Sequence, residues 1–123
     1  MNPLPQTLAG VGIDIVDIER FASAKYPERV AEYILTERER QWMKESRDRM
    51  QYLASRFAVK EAVIKAVPLS LGYQDMEICK DGVKPAVQMH RPDAQAYHVH
   101  ISISHCPAYA AGMAIAYADT ASI

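Results

Sequence analysis

Apolar positions along this chain recur with two different periods. Steps of three and four residues from Met50 meet Met50, Ala54, Phe57, Glu61 and Ile64, the spacing of one helix face, interrupted by a single carboxylate. Around this face the pattern predicts a helix from about Asp48 to Val67, ended by Pro68. VGIDIV, residues 11 to 16, is short and β-branched, as a buried strand is, and DIERFASAK continues it as a helix for which Asp17 is a candidate cap. TERERQWMKES opens another helix, because Thr36 and Glu39 have the spacing of a capping box. Beyond Pro68 the period shortens to two. MEICKDGVKPAVQM reads as a hairpin turning at Asp81 and Gly82, and VHISIS and YAAGMAIAYA read as two strands joined through HCPAY. Short connections favour antiparallel pairing, so the expected fold class is α+β, with helices packed on one face of a mostly antiparallel sheet.

Composition narrows the classes. A chain of 123 residues, 50% hydrophobic and 24% charged, suits one domain spanning residues 1–123 with its own core. Its 14 basic and 15 acidic side chains nearly cancel, which argues against general binding to nucleic acid or to a membrane surface. The basic residues gather between Arg20 and Lys65, so an electropositive surface is expected on the helices. MNPLPQTLAG lacks the basic start and long apolar run of a signal peptide, and no stretch of about 18 apolar residues is present. Cys79 and Cys106 are too few and too far apart for a zinc motif, and a reduced, cytoplasmic chain is the expectation.

Three polar groups stand where the pattern calls for apolar ones. Asp14 interrupts Val11, Ile13, Ile15 and Val16; Glu61 interrupts the helix face; His105 shares a strand face with Val99, Ile101 and Ile103. Burying a carboxylate without a partner costs several kcal/mol against a total stability of about 5–15 kcal/mol, so the two acids need cations nearby. Two sources are open at this point. Lys60 or Lys65 can pair with Glu61 or Asp14, although Lys60 lies about 100° around the helix from Glu61. Alternatively, a hard divalent ion is held by the two acids, and magnesium, which takes one or two carboxylates and fills its shell with water and substrate phosphates, suits such a pair. His105 by itself reads as a satisfied core group, and His98 and His100 as solvent-facing.

GVGIDIVDIERF, then ASRFAVKEAVIKA, then ISISH with an alanine-rich last strand, resemble in order and spacing the three motifs of the holo-acyl-carrier-protein synthases, the small 4′-phosphopantetheinyl transferases. The resemblance covers nearly the whole chain. It implies transfer of the phosphopantetheine arm of coenzyme A to a serine of an acidic apo acyl carrier protein, with release of adenosine 3′,5′-bisphosphate. It implies Mg²⁺ held by Asp14 and Glu61, catalytic parts for Glu61, Lys60 and His105, coenzyme A contacts from Lys60, Lys65, Arg56 and His105, and carrier contacts from Arg20 and Arg29. It further implies a homotrimer with active sites between neighbouring subunits. For the base that takes the serine proton, the choice lies between Glu61 and a water on the cation, and a carboxylate already holding the cation is the poorer base.

Where similar proteins carry a glycine-rich turn, this chain reads VPLSLGYQ, residues 67 to 74, with Gly72 alone, so coenzyme A contacts from that segment do not carry over. The other reading of the chain is a catalytically silent member of the family that binds carrier protein or coenzyme A. Joint retention of Asp14, Lys60, Glu61 and His105 argues for turnover, since a binding module has no use for acids that cost stability.

Overall fold

The computed structural model describes residues 5–119. Strand β1 (Gln6–Asp17) leads into a single-turn helix α1 (Glu19–Ala22), then α2 (Pro27–Ile34), α3 (Glu37–Glu45) and the long α4 (Arg49–Ala66). A hairpin of β2 (Met76–Asp81) and β3 (Lys84–Met89) follows, and β4 (Tyr97–His105) and β5 (Tyr109–Asp119) complete the chain's order. The strands pair in two antiparallel groups, β1-β5-β4 and β2-β3. This is the expected α+β arrangement.

Local chemistry sets the ends of α3 and α4. Thr36 Oγ1 accepts the Glu39 N–H and Glu39 Oε1 accepts the Thr36 N–H, the expected capping box. Asp48 accepts the Gln51 N–H at 3.0 Å, and α4 stops one residue before Val67-Pro68. Asp17 Oδ1 accepts the Glu19 N–H, although α1 is far shorter than the helix expected over residues 17–25. The second helix, α2, was not expected; Pro27 at its first turn is the signal that marks it. Residues 82 and 83 make the hairpin turn, one residue later than expected, with Gly82 at φ 65 as a two-residue turn requires.

The three-stranded sheet has two unlike faces. On one, Gly12, Val16, Ala110, Ala114, Ala116 and Ala118 are buried against α4. α4 is itself covered on several sides, burying Leu53, Val59, Val63 and Ala66, each large aliphatic group contributing about 1.5–3 kcal/mol. The opposite face of β1 is open: Val11, Ile13 and Ile15 are 56%, 68% and 67% exposed. The expectation of a buried strand over residues 11 to 16 therefore holds for one face only.

Close approach of helix to sheet depends on missing side chains. A Cβ at Gly12 would stand 1.9 Å from the Ala62 carbonyl oxygen, and one at Gly112 would stand 2.4 Å from the Val59 backbone nitrogen. Both obstacles are backbone, so relief requires moving α4. Gly12→Ala should lower stability by at least the roughly 1–3 kcal/mol of ordinary overpacking, whereas at Gly72, where the nearest atom lies at 3.5 Å, alanine should stay within about 0.5 kcal/mol. Urea denaturation decides: equal midpoints for the two variants would show that the contact is not tight.

Candidate active site

The two acids stand on the two elements that make the contact between β1 and α4. From Gly10 onward the even-numbered residues of β1 face the helix, with Gly10 against Ala66 and Gly12 against Ala62, so Asp14 comes next along the same face. Lys65 Nζ reaches it, donating to the Ile13 carbonyl at 2.9 Å and lying 3.4 Å from Asp14 Oδ1. Glu61 is one turn earlier on the face of α4 that carries Lys65. Neither acid is fully buried, since both stand at the rim of the packed layer.

Asp14 Oδ2 is enclosed and lacks a hydrogen-bond partner. An orphaned carboxylate oxygen is what a divalent cation would complete. Among the described residues no group of three or more His, Cys, Asp or Glu side chains comes together for a metal. A two-carboxylate set therefore fits magnesium, which relies on water and phosphate oxygens for the remainder, better than it fits a transition metal.

Glu61 opens into a cavity of about 380 Å³ walled by Arg20, Phe21, Val30, Tyr33, Phe57 and Tyr73. Phe57 packs against Phe21 and Tyr73 with ring centres 5.4 and 5.8 Å apart, which explains how an apolar helix face accommodates the carboxylate. The Tyr73 hydroxyl donates to Glu61 Oε1. Burial, and then this bond to a carboxylate, push the Tyr73 phenol well above its usual range. Arg20 lies over the Phe57 ring at 5.4 Å, at the mouth of the same cavity, while Arg29 stacks on Tyr26 at 4.8 Å.

Lys60 departs from expectation. It is fully buried, and its three ammonium protons meet three acceptors: Glu39 Oε1 at 2.7 Å, the Ile34 carbonyl at 2.8 Å and the Tyr73 carbonyl at 2.9 Å. Burial pulls the ammonium down while Glu39 holds it up. Within this structure the group is spent on protein acceptors, away from Glu61, and offers no proton to a ligand. Glu39 is equally committed: Oε1 also accepts from Thr36 N–H, and Oε2 accepts the Ile78 N–H at 2.8 Å. The same stepping that flags Glu61 also flags Lys60, since Leu53, Lys60 and Val63 share a second apolar face of α4.

His105 also lies elsewhere. It pairs with Ala110 of β5, which pairs with Val16 of β1, so a whole strand separates its strand from that of Asp14, about 10 Å across at normal strand spacing. It is exposed, and with Arg47, Ser55, Arg56, Lys80 and Pro85 it lines a cleft of about 430 Å³ between α4 and the hairpin. Arg56 stacks over Tyr52 at 4.1 Å, meeting the face of the ring. Arg56 Nε, Tyr52 OH and Ser46 Oγ on these walls are buried without hydrogen-bond partners, and burial pushes the Tyr52 phenol up to about 12. Three unsatisfied polar atoms around a cationic cleft suit an anionic, hydrogen-bonding ligand. The four residues expected on coenzyme A thus divide: Arg56 and His105 in this cleft, Lys65 beside Asp14, and Lys60 in the interior.

These features coincide with a known family. The 4′-phosphopantetheinyl transferase superfamily profile matches residues 10–118, and the chain belongs to that family. Within it, the chain is 39% identical over 116 residues to the holo-[acyl-carrier-protein] synthase of Halalkalibacterium halodurans, covering 88% of this chain and 94% of that protein. It is 35% identical over 101 residues to the holo-[acyl-carrier-protein] synthase of Thermotoga maritima, covering 80% of this chain and 57% of that longer protein. The fold matches the crystal structure of a holo-(acyl-carrier-protein) synthase from Bacillus anthracis in complex with CoA (3′,5′-ADP), with a TM-score of 0.79, 31% identity, and coverage of 90% and 97% of the two chains.

Lys60 and Glu39 make a direct test of how the interior is held. Replacing Lys60 alone by methionine should strand the Glu39 charge and cost about 3–5 kcal/mol, and pairing it with Glu39→Gln should recover much of the loss. Chemical denaturation of the two single variants and the double variant measures the coupling. A Lys60→Met protein as stable as the parent, but inactive, would instead return Lys60 to the chemistry.

Proposed function

We propose that this chain is a magnesium-dependent holo-acyl-carrier-protein synthase, moving the 4′-phosphopantetheine of coenzyme A to a serine of an apo acyl carrier protein. The observation that carries the magnesium reading is the unpartnered Asp14 Oδ2, on a carboxylate whose other oxygen lies 3.4 Å from Lys65, one helical turn from Glu61 on α4. Asp14 and Glu61 would hold the ion, which when bound supplies positive charge at the diphosphate and lowers the barrier to charge build-up on the leaving group. In the reaction the serine hydroxyl gives up its proton to solvent water, the serine Oγ–phosphorus bond forms, and the phosphorus–oxygen bond to adenosine 3′,5′-bisphosphate breaks, the leaving group departing as the phosphate anion.

The remaining parts follow from placement. Arg56 and His105, with the basic neighbours of their cleft, bind the nucleotide phosphates, and Lys65 adds charge beside the acids. Arg20, at the mouth of the cavity that holds Glu61, and Arg29 on the neighbouring helix face the acidic carrier, steering its serine toward Glu61. Lys60 supports the site from the interior.

The separation of His105 from Asp14 supports an assembly in which the cleft of one subunit completes the acid pair of the next. Ile13, Ile15, Val11 and Met113, exposed together on the open sheet face, supply an apolar surface for it. A homotrimer is the assembly we propose. Ile13→Lys, which should leave the α4 side of the sheet untouched, should produce folded, inactive monomers by sedimentation. A parent protein that sediments as a fully active monomer would remove the assembly.

The decisive assay is intact-mass measurement of apo carrier incubated with the protein, coenzyme A and Mg²⁺. The carrier should gain one phosphopantetheine, the gain should vanish in excess EDTA, and its rate should fall steeply with salt as carrier encounter is screened. No gain on any of several carriers favours the silent binding member, and undiminished gain in chelator removes the metal.

A further inference from the structure

Tyr73 stands against the candidate metal ligand with no assigned part in the chemistry. Its hydroxyl donates to Glu61 Oε1. Its ring lies edge-on to Tyr33 at 5.5 Å and tilted against Phe57 at 5.8 Å. Its carbonyl accepts from buried Lys60 at 2.9 Å. On either side the backbone is tied: the Gly72 N–H donates to Asp75 Oδ2 at 2.7 Å, and Gln74 Nε2 donates to the Leu35 carbonyl at 2.6 Å. The residue is thus fixed through its main chain, its ring and its hydroxyl. This is the segment VPLSLGYQ, whose sequence gives it a path of its own. For filling the aromatic wall of the cavity phenylalanine would serve as well; the hydroxyl adds a bond to Glu61.

We propose that Tyr73 is a positioning residue, which holds one oxygen of the Glu61 carboxylate in advance and so presents the group to a divalent cation shared with Asp14. The inference rests on the magnesium reading above. A glutamate side chain has three rotatable bonds, and ordering it beforehand removes a loss that binding would otherwise incur. Hydrogen bonds from outside the ligand set orient ligands in this way, and their removal commonly weakens a metal by about 10–100-fold. Lys60 enters the same chain of support: by gripping the Tyr73 carbonyl from the interior, it keeps the phenol over Glu61.

The test is Tyr73→Phe in the full chain, which keeps the ring contacts and removes the hydroxyl alone. Mn²⁺ is the probe, titrated without coenzyme A and read by the electron paramagnetic resonance signal of the free ion, with Asp14→Asn as the control for the site. Tyr73→Phe should bind Mn²⁺ about tenfold more weakly than the parent, with an unchanged thermal midpoint, and should need a correspondingly higher Mg²⁺ concentration for half-maximal transfer. Unchanged Mn²⁺ affinity in a folded Tyr73→Phe, with binding lost in Asp14→Asn, would overturn the role of Tyr73 and leave the metal reading standing. Failure of the parent to bind Mn²⁺ would overturn the metal reading and this inference together.

Discussion

The arrangement depends on the backbone-to-backbone approach of α4 and the sheet. Gly10, Gly12 and Gly112 leave room for the turns of α4 at Ala66, Ala62 and Val59, and the small residues of β5 extend that flat surface. With the helix this close, a residue of β1 and residues of α4 share one short polar rim, where Lys65 reaches the main chain and the side chain of its partner strand. The motif glycines and the motif acids are therefore one feature: the first set the distance at which the second can act.

Adjacent residues on α4 serve opposite ends. Lys60 and Glu61 are about 100° apart on the helix, so one points into the interior and the other toward the rim. Inside, the Lys60 protons and the Glu39 oxygens are matched, while Glu77 accepts from Thr36 at 2.7 Å through Oε1 and its Oε2, 3.3 Å from Arg38, makes no hydrogen bond. At the rim and in the cleft the matching is incomplete, and the unmatched atoms are Asp14 Oδ2, Arg56 Nε, Tyr52 OH and Ser46 Oγ. A buried polar atom left without a partner lowers stability, so its persistence points to a ligand that supplies the missing half.

The elements with strong local signals could be read from the chain: the capping box at Thr36, the glycine in the hairpin turn, the alternation in β4 and β5, and α4 between its cap and Pro68. The short α2 was not, because eight residues carry little periodicity. Asp14 and Glu61 were found as breaks in apolar runs, yet periodicity names a face without saying what covers it. The pattern therefore does not show that the face carrying Lys60 is the core, nor that Glu39, part of the capping box, also neutralises a lysine. Strand order, which no local pattern encodes, decides that β5 runs between β1 and β4 and so parts His105 from Asp14.

The interior lysine also bears on how the molecule opens. Its three bonds, with those of Glu39, join the end of α2, the start of α3, the middle of α4, the segment before β2 and Ile78 of β2 itself. Elements cross-tied in this way exchange their amide protons as one cooperative unit, at a free energy near that of global unfolding. Through the Tyr73 hydroxyl, Glu61 is moored to those cross-tied elements, while Arg20 sits on the single-turn helix α1 outside them. The surface of α1 can open locally while the carboxylate stays moored.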